Sequence, residues 1–277
     1  MKKYVKKFLR KTKDFWNLPK LNIFSTLYFN LRTMPFSVAI KFPVYIYGRV
    51  KFCALYGHVE FRNTSLKSGM IKFGKHSDMF YGCCEKSIIS IGTKGKIIFE
   101  GPCLIGTGFY FNIFENAVLQ MGKYVVFGKS LKIICLKEIS IGNYTRIGFD
   151  SQIMDSNIHY IVDVAKKTVF RKCGTIQLGK FNWIGNRVSI LKGTKTPNYT
   201  TAAACSVLNK DYTATCSQNI MLAGVPAKVV VQNVQRVFSF DIEKKIDHYF
   251  NTNPESNVLE WDECWEDNLE SLISSFN

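Results

Sequence analysis

The chain contains four histidines, His58, His76, His159 and His248. His159 stands apart because of its neighbours. It closes the polar run Asp155-Ser156-Asn157-Ile158-His159, and Asp163 follows it at the same distance at which Asp155 precedes it. An imidazole is the side chain best suited to take up and return a proton near neutrality. A carboxylate beside it, from Asp155 or Asp163, would orient the ring and stabilise its protonated form. Asn157 could carry part of that role. Each acid has a second reading, as a turn residue whose carboxylate caps local backbone N–H groups. A loop histidine taken alone is more often a surface residue than a catalyst, so the elements that carry it decide the matter. His58 and His76 have no comparable setting, and the spacing from His76 to His159 does not suggest neighbouring ligands of one metal.

Those elements announce themselves by a period of six. Ile141, Ile147, Ile153 and His159 lie six apart, and so do Leu178, Ile184, Ile190, Thr196, Ala202 and Leu208. Gly142, Gly148, Gly179 and Gly185 each follow an aliphatic residue of the ladder, and weaker copies appear at Ile91-Gly92, Ile105-Gly106, Met121-Gly122 and Phe127-Gly128. Six residues do not suit a helix of 3.6 residues per turn. They suit a short strand with one inward aliphatic side chain and a tight corner, where glycine avoids a clash or supplies a positive φ. Stacked corners of this kind predict a triangular parallel β-solenoid. The ladder breaks after His159 and resumes near Ile176, so residues 160–175 are an excursion and His159 stands where a rigid coil ends.

The stretch 71–231 resembles the hexapeptide-repeat acyltransferases, most strongly over 139–231. The resemblance rests on Asn182-Trp183-Ile184-Gly185, on Ala202 through Lys210-Asp211, and on Ala223-Gly224-Val225-Pro226-Ala227-Lys228-Val229-Val230. The segment from Asn30-Leu31-Arg32 through Pro35 to Pro43-Val44 is similar to the lead-in of polysaccharide and colanic-acid-type O-acetyltransferases. The resemblance implies a mainly β fold, a left-handed parallel β-helix, assembled as a homotrimer with acetyl-CoA in the groove between subunits. It also implies direct acyl transfer with His159 as general base, since the family often writes this stretch as Asp-x-Asp-x-His with a trailing Asp. Asp155, His159 and Asp163 fit that pattern, and Asn157 replaces its second acid. By motif position, Trp183 and Asn186 would lie near the reacting end. Ala204 would lie beside the pantetheine arm, and Asn209, Lys210 and Lys228 near the nucleotide and its phosphates. Lysines suit phosphates as point charges. Lys210 and Lys228 could equally be solvated corner residues, and Trp183 a packing anchor between subunits. Thr196-Pro197-Asn198-Tyr199-Thr200-Thr201 and Ala203-Ala204-Cys205 depart from the family's usual rungs, which puts those corners in question. Cys205 and Cys216 read as small buried residues.

The expected activity is transfer of acetyl from acetyl-CoA to a sugar hydroxyl of a bacterial surface glycan or its precursor, with no metal. The rivals are N-acylation of an amino sugar or other amine, and a solenoid that has lost catalysis and binds or assembles. Composition bounds these readings. The 277 residues are 47% hydrophobic, enough for a real core, and the 22 Phe call for an explanation. Nine cysteines without a CxxC pair, and no signal peptide, suit a reduced, cytoplasmic protein. No uncharged apolar run approaches the ~18 residues needed to cross a bilayer. The net charge of +16 is unevenly spread, with ten acidic residues against Lys244 and Lys245 from Asp241 onward. The basic remainder asks for an anionic partner, here the phosphorylated donor or an acidic membrane rather than nucleic acid. Residues 1–20 hold eight Lys and Arg against Asp14, with Val5, Phe8, Leu9 and Trp16 near helical spacing. That pattern fits either an interfacial helix on an anionic membrane or a helix packed on the domain edge. Three parts are therefore expected. A basic lead-in covers 1–70 (a second helical piece and an entry strand), the solenoid covers 71–231, and an acidic helical tail covers 232–277. The tail's stripe of Trp265, Leu269, Leu272, Ile273 and Phe276 would cover the last coil.

Overall fold

A computed structural model describes residues 19–75, 86–260, 273, 274 and 276. From Val44 onward the chain repeats one move, a short strand followed by a corner. Successive strands fall in turn on three faces, giving sheets of nine, seven and six strands among the described residues. Every pairing within these sheets is parallel except the last, where Ala227–Gln232 folds back antiparallel on Gln218–Gly224. This is the triangular parallel solenoid that the six-residue period predicts.

The solenoid starts earlier than residue 71. Val44–Ile46 pairs with Ile71–Phe73, Val50–Leu55 with Ser87–Ile91, and His58–Phe61 with Lys96–Phe99. A complete coil therefore lies inside the lead-in. Its glycines, Gly48 and Gly57, follow tyrosines rather than aliphatic residues, so the period does not mark it.

Each face sends one ladder of side chains inward. On the first face Ile46, Phe73, Ile105, Phe127, Ile147, Ile184, Ala202 and Leu222 are direct cross-strand partners, all buried. The second face contributes Ile89, Phe111, Ile133, Ile153, Ile190 and Leu208. The phenylalanine richness has its explanation here. Phe73, Phe99, Phe109, Phe111 and Phe127 fill the interior of the early coils, with neighbouring ring centroids 5.3–6.3 Å apart.

The glycines of the hexad ladder are required for close approach rather than for φ. A Cβ on Gly142 would lie 2.5 Å from the backbone of Gly179 in the next coil, and Gly142 is not in the left-handed region. The positive φ falls two residues later, at Tyr144, Asp150, Phe181 and Arg187. One consequence is an aromatic ladder along one corner. Tyr124 stacks on Tyr144 at 5.3 Å, Tyr144 on Phe181 at 4.7 Å, and Phe181 on Tyr199 at 4.7 Å.

The lead-in supplies two helices, α1 (Ile23–Thr33) and α2 (Phe36–Ala39), before the entry strand. Asn22 caps α1 by accepting from the Ser25 N–H at 3.0 Å. In the tail, α3 (Phe240–Thr252) begins at Ser239, whose hydroxyl accepts from the Ile242 N–H. The expected stripe of Val5, Phe8, Leu9 and Trp16 lies outside the described residues, as do Trp265, Leu269 and Leu272. Where it is described, the tail does not cover the last coil. Phe238 packs edge-on against Phe181, and Phe276 against Tyr124, so the tail follows the aromatic corner. On the nine-stranded face, Ala227–Gln232 pairs on the strand Gln218–Gly224 and ends the sheet.

Candidate active site

Asp155 follows the strand Gln152–Met154 at a buried corner with no exposed surface. Its Oδ1 accepts from the Leu136 N–H at 2.8 Å, and its Oδ2 from the N–H groups of Lys137 and Glu138 at 2.7 and 2.8 Å. Three amides of the preceding coil thus converge on one carboxylate, which satisfies donors that the corner would otherwise bury unpaired. The Cys135 thiol is 3.7 Å from the same Oδ2. Burial first, and the Asp155 charge second, push that thiol well above the usual range.

The chain leaves the solenoid directly from this anchor. The Gly174 N–H donates to the Asp155 carbonyl at 2.8 Å, Ser156 bridges Cys173, and the Asn157 N–H donates to the Lys172 carbonyl at 2.9 Å. These bonds form a two-stranded stalk. The Ser156 hydroxyl accepts from the Ile158 N–H at 2.9 Å, and the His159 N–H closes on the Asn157 carbonyl at 2.6 Å. Ile158, inside that three-residue turn, has φ +64°. This is the pattern of a γ-turn, which a β-branched residue adopts at a cost of about 1–3 kcal/mol. The stalk holds the turn and throws the His159 side chain outward. The imidazole is exposed and, among the described residues, has no hydrogen-bond partner. Beyond it, Ile161–Asp163 and Thr168–Phe170 pair antiparallel into an exposed hairpin. Its apolar side chains Tyr160, Ile161, Val162, Val164, Val169 and Phe170 face solvent.

Among the described residues, neither Asp155 nor Asp163 serves as the expected carboxylate partner of His159. Asp155 is committed to backbone amides. Asp163 accepts from the Lys166 N–H at 2.9 Å across the hairpin turn, with the Lys166 ammonium 3.9 Å away. Both acids adopt the turn-capping reading. Asn157 acts here through its backbone, between Lys172 and His159.

The residues expected around the acyl donor lie on the last coils. Trp183, 42% exposed, sits on the nine-stranded face between Arg146 and Thr201. Asn186 spends its side-chain oxygen on the Phe149 N–H at 3.2 Å, so that oxygen is a corner brace. The Ala203-Ala204-Cys205 corner is intact. The Ala203 N–H donates to Leu222, the Cys205 N–H donates to Asn186, and Cys205 takes φ +61°. Cys205 is exposed rather than buried, because this corner position points outward, while Cys216 is half-buried against the core. The Thr196–Thr201 departure is also absorbed. Thr196 donates to Asn182 Oδ1, and Asn182 donates to the Pro197 carbonyl at 2.9 Å. Ala204, Asn209, Lys210 and Lys228 are exposed, and the Lys210 ammonium lies 5.4 Å from the centroid of the Tyr212 ring.

Two arginines beyond any motif join this face. The Arg236 guanidinium lies 5.3 Å from the Trp183 ring centroid and 5.5 Å from that of Phe238, with Glu243 at 3.6 Å. Arg146 lies under the Phe240 ring at 5.6 Å. Burial, helped by the charge of Arg236, lowers the Arg146 guanidinium to about 10. The tail thus brings cationic and aromatic groups onto the face that carries Trp183. Arg236 follows the end of the repeat, so no period pointed to it.

No family model matches the chain. It is 26% identical over 121 residues to a polysialic acid O-acetyltransferase of Escherichia coli O1:K1, a match spanning 43% of this chain and 38% of that relative. Among solved structures, a polysialic-acid-specific acetyltransferase aligns with 74% of this chain and 94% of its own, at 18% identity and a TM-score of 0.48. A hexapeptide-repeat-containing acetyltransferase from Vibrio cholerae aligns with 52% of this chain and 73% of its own, at 21% identity and a TM-score of 0.35. An N-acyltransferase variant from Bacillus cereus, crystallised with dTDP and coenzyme A, covers 75% and 88% at 12% identity and a TM-score of 0.38. In its ladder of hexads, its three-faced coils and its sequence similarity to a curated O-acetyltransferase, the chain resembles the hexapeptide-repeat acetyltransferases.

Proposed function

We propose that the protein transfers acetyl from acetyl-CoA to a sugar hydroxyl of a bacterial surface glycan or glycan precursor, with His159 as general base. The observation that carries this reading is the mounting of His159. An exposed imidazole, with no hydrogen-bond partner among the described residues, stands on a strained turn, at the foot of a hairpin anchored in a rigid coil. Strain of this kind clusters where geometry serves function. The sequence similarity to a polysialic acid O-acetyltransferase supports a sugar acceptor.

In this reading the acceptor hydroxyl attacks the thioester carbonyl while the His159 imidazole takes its proton. As the carbon–sulfur bond breaks, the proton passes to the departing thiolate, and no covalent enzyme intermediate forms. The donor supplies the activated acetyl group. Exposed Lys210 and Lys228 suit its phosphates, with Asn209 near the nucleotide, and the Ala204 backbone and half-exposed Trp183 suit its arm. Arg236 adds a cation on the same face. Asp155 is a positioning residue, since it fixes the corner from which the stalk rises. The exposed apolar hairpin supports a homotrimer in which it packs on a neighbouring subunit. A cytoplasmic location follows from the donor.

The experiment is incubation with acetyl-CoA and a panel of sialylated and neutral glycans. Thiol release and acetyl gain are followed by absorbance and mass spectrometry. Acetyl-CoA-dependent acetylation of a hydroxyl is expected. Acetylation confined to amino sugars, or CoA bound without transfer to any acceptor, would overturn the reading.

A further inference from the structure

Helix α1 is amphipathic the wrong way round. Its inward face is polar, with Thr26, Asn30 and Thr33 buried beside Phe29. Those groups serve the open edge of the first coil. The Asn30 amide donates to the Val44 carbonyl at 2.8 Å, and its oxygen accepts from the Val44 N–H at 3.3 Å. The Thr26 hydroxyl accepts from the Ile46 N–H at 3.0 Å, and the Asn22 amide donates to the Gly48 carbonyl at 3.2 Å. An edge strand needs such partners, so this face of α1 cannot be exchanged for its apolar one. The apolar face is consequently turned out. Ile23 is 69% exposed and Phe24 85%, and Leu27, Tyr28 and Leu31 continue the stripe. Phe36 and Ile40, around α2, extend it. A helix at the end of a solenoid gains nothing from such a surface in water, at roughly 25 cal/mol per Å² left exposed.

The charge around this face is one-sided. The described residues 19–59 contain Lys20, Arg32, Lys41, Arg49 and Lys51 and no Asp or Glu. Arg32 and Lys41 flank the stripe, both exposed. An apolar helical face bordered by cations, on a described segment that holds no acid, matches the boundary between acyl chains and anionic headgroups. We propose that the outer face of α1, with Phe36 and Ile40, docks the enzyme on an anionic membrane. The solenoid's first coil then sits against the lipid. This inference is independent of the acyltransferase reading, and it assigns the contact to α1, Phe36 and Ile40 rather than to residues 1–20.

The test is co-sedimentation of the full-length protein with phosphatidylcholine vesicles, with and without phosphatidylglycerol. Wild type is expected to bind the anionic vesicles and to release as salt rises, and to bind neutral vesicles weakly. A variant carrying Phe24→Ser, Leu27→Ser and Leu31→Ser is expected to lose at least tenfold in affinity. So is Phe36→Ser with Ile40→Ser, while thermal unfolding of both stays at the wild-type temperature because the buried residues are untouched. Three results would overturn the proposal. Either variant could bind as wild type does, which would leave the contact to the basic segment. Either variant could lower the oligomeric state without lipid, which would make the face an interface between copies. Deletion of residues 1–18 could strengthen binding to neutral vesicles, which would make that segment the natural cover of α1.

Discussion

Asp155 and Asp163 stand at equal distances on either side of His159, and the fold treats them oppositely. Asp155 lies at the corner of a coil, fully buried, with three backbone amides of the preceding coil on its two oxygens. Asp163 lies on the hairpin, bonded to the Lys166 N–H of its own turn. At the coil corner one buried carboxylate satisfies three amides at once, so it carries structural weight. A hairpin turn in water does not need one. The difference separates two jobs. The coil holds the stalk, and the excursion presents the imidazole. Symmetric spacing in sequence says nothing about equivalence in space.

Breaking the coil side should have the larger consequence for stability. Asp155→Ala leaves three amides without their acceptor and is expected to cost about 3 kcal/mol or more, read as a lower midpoint in urea. A midpoint within experimental error of wild type would mean that water replaces the carboxylate. The same corner can be watched chemically. Cys135 and Cys103 are buried, and burial raises both thiols, Cys103 to about 12. Exposed Cys53 and Cys205 should alkylate at pH 8 in the folded protein, while Cys135 should do so at least tenfold more slowly. Asp155→Ala should remove most of that protection, and equal labelling of all four would refute the burial. For donor binding, Lys210→Ala with Lys228→Ala is expected to weaken CoA several-fold at low salt and to flatten its salt dependence. Calorimetry that returns the wild-type constant would remove both lysines from the phosphates. The smallest effect belongs to Asp163→Ala. It should change stability by no more than about 0.5 kcal/mol and leave the transfer rate within about threefold. A loss of a hundredfold would restore Asp163 as the partner of His159.

How much was legible follows the same division between coil and excursion. The strict hexads from Ile141 to His159 and from Leu178 to Leu208 locate the coils and the break after His159, because one inward residue per strand and one close glycine contact impose the period. The first coil was not legible. There tyrosines rather than aliphatic residues precede Gly48 and Gly57, and Phe29 of α1 packs on Phe52. The aromatic ladder from Tyr124 to Tyr199 was readable in principle. Each member stands two residues past a corner position, at Gly122, Gly142, Gly179 and Pro197. At the site, the place of His159 at the start of an excursion was visible in sequence. The fate of the acids was not, since it depends on which amides of residues 136–138 lie one coil away. Arg236 was hidden for a related reason. It reaches Trp183 only because the tail turns back along the aromatic corner.

The most direct test of the central claim, that the imidazole of His159 takes the acceptor's proton, is chemical rescue. Acetyl transfer by His159→Ala is measured with acetyl-CoA and the best acceptor, with and without added imidazole, after its unfolding midpoint is matched to wild type. The rate without imidazole is expected to fall by about 10²–10⁴ and to recover in part, in proportion to the imidazole added. A His159→Ala protein that transfers acetyl at the wild-type rate would contradict the claim.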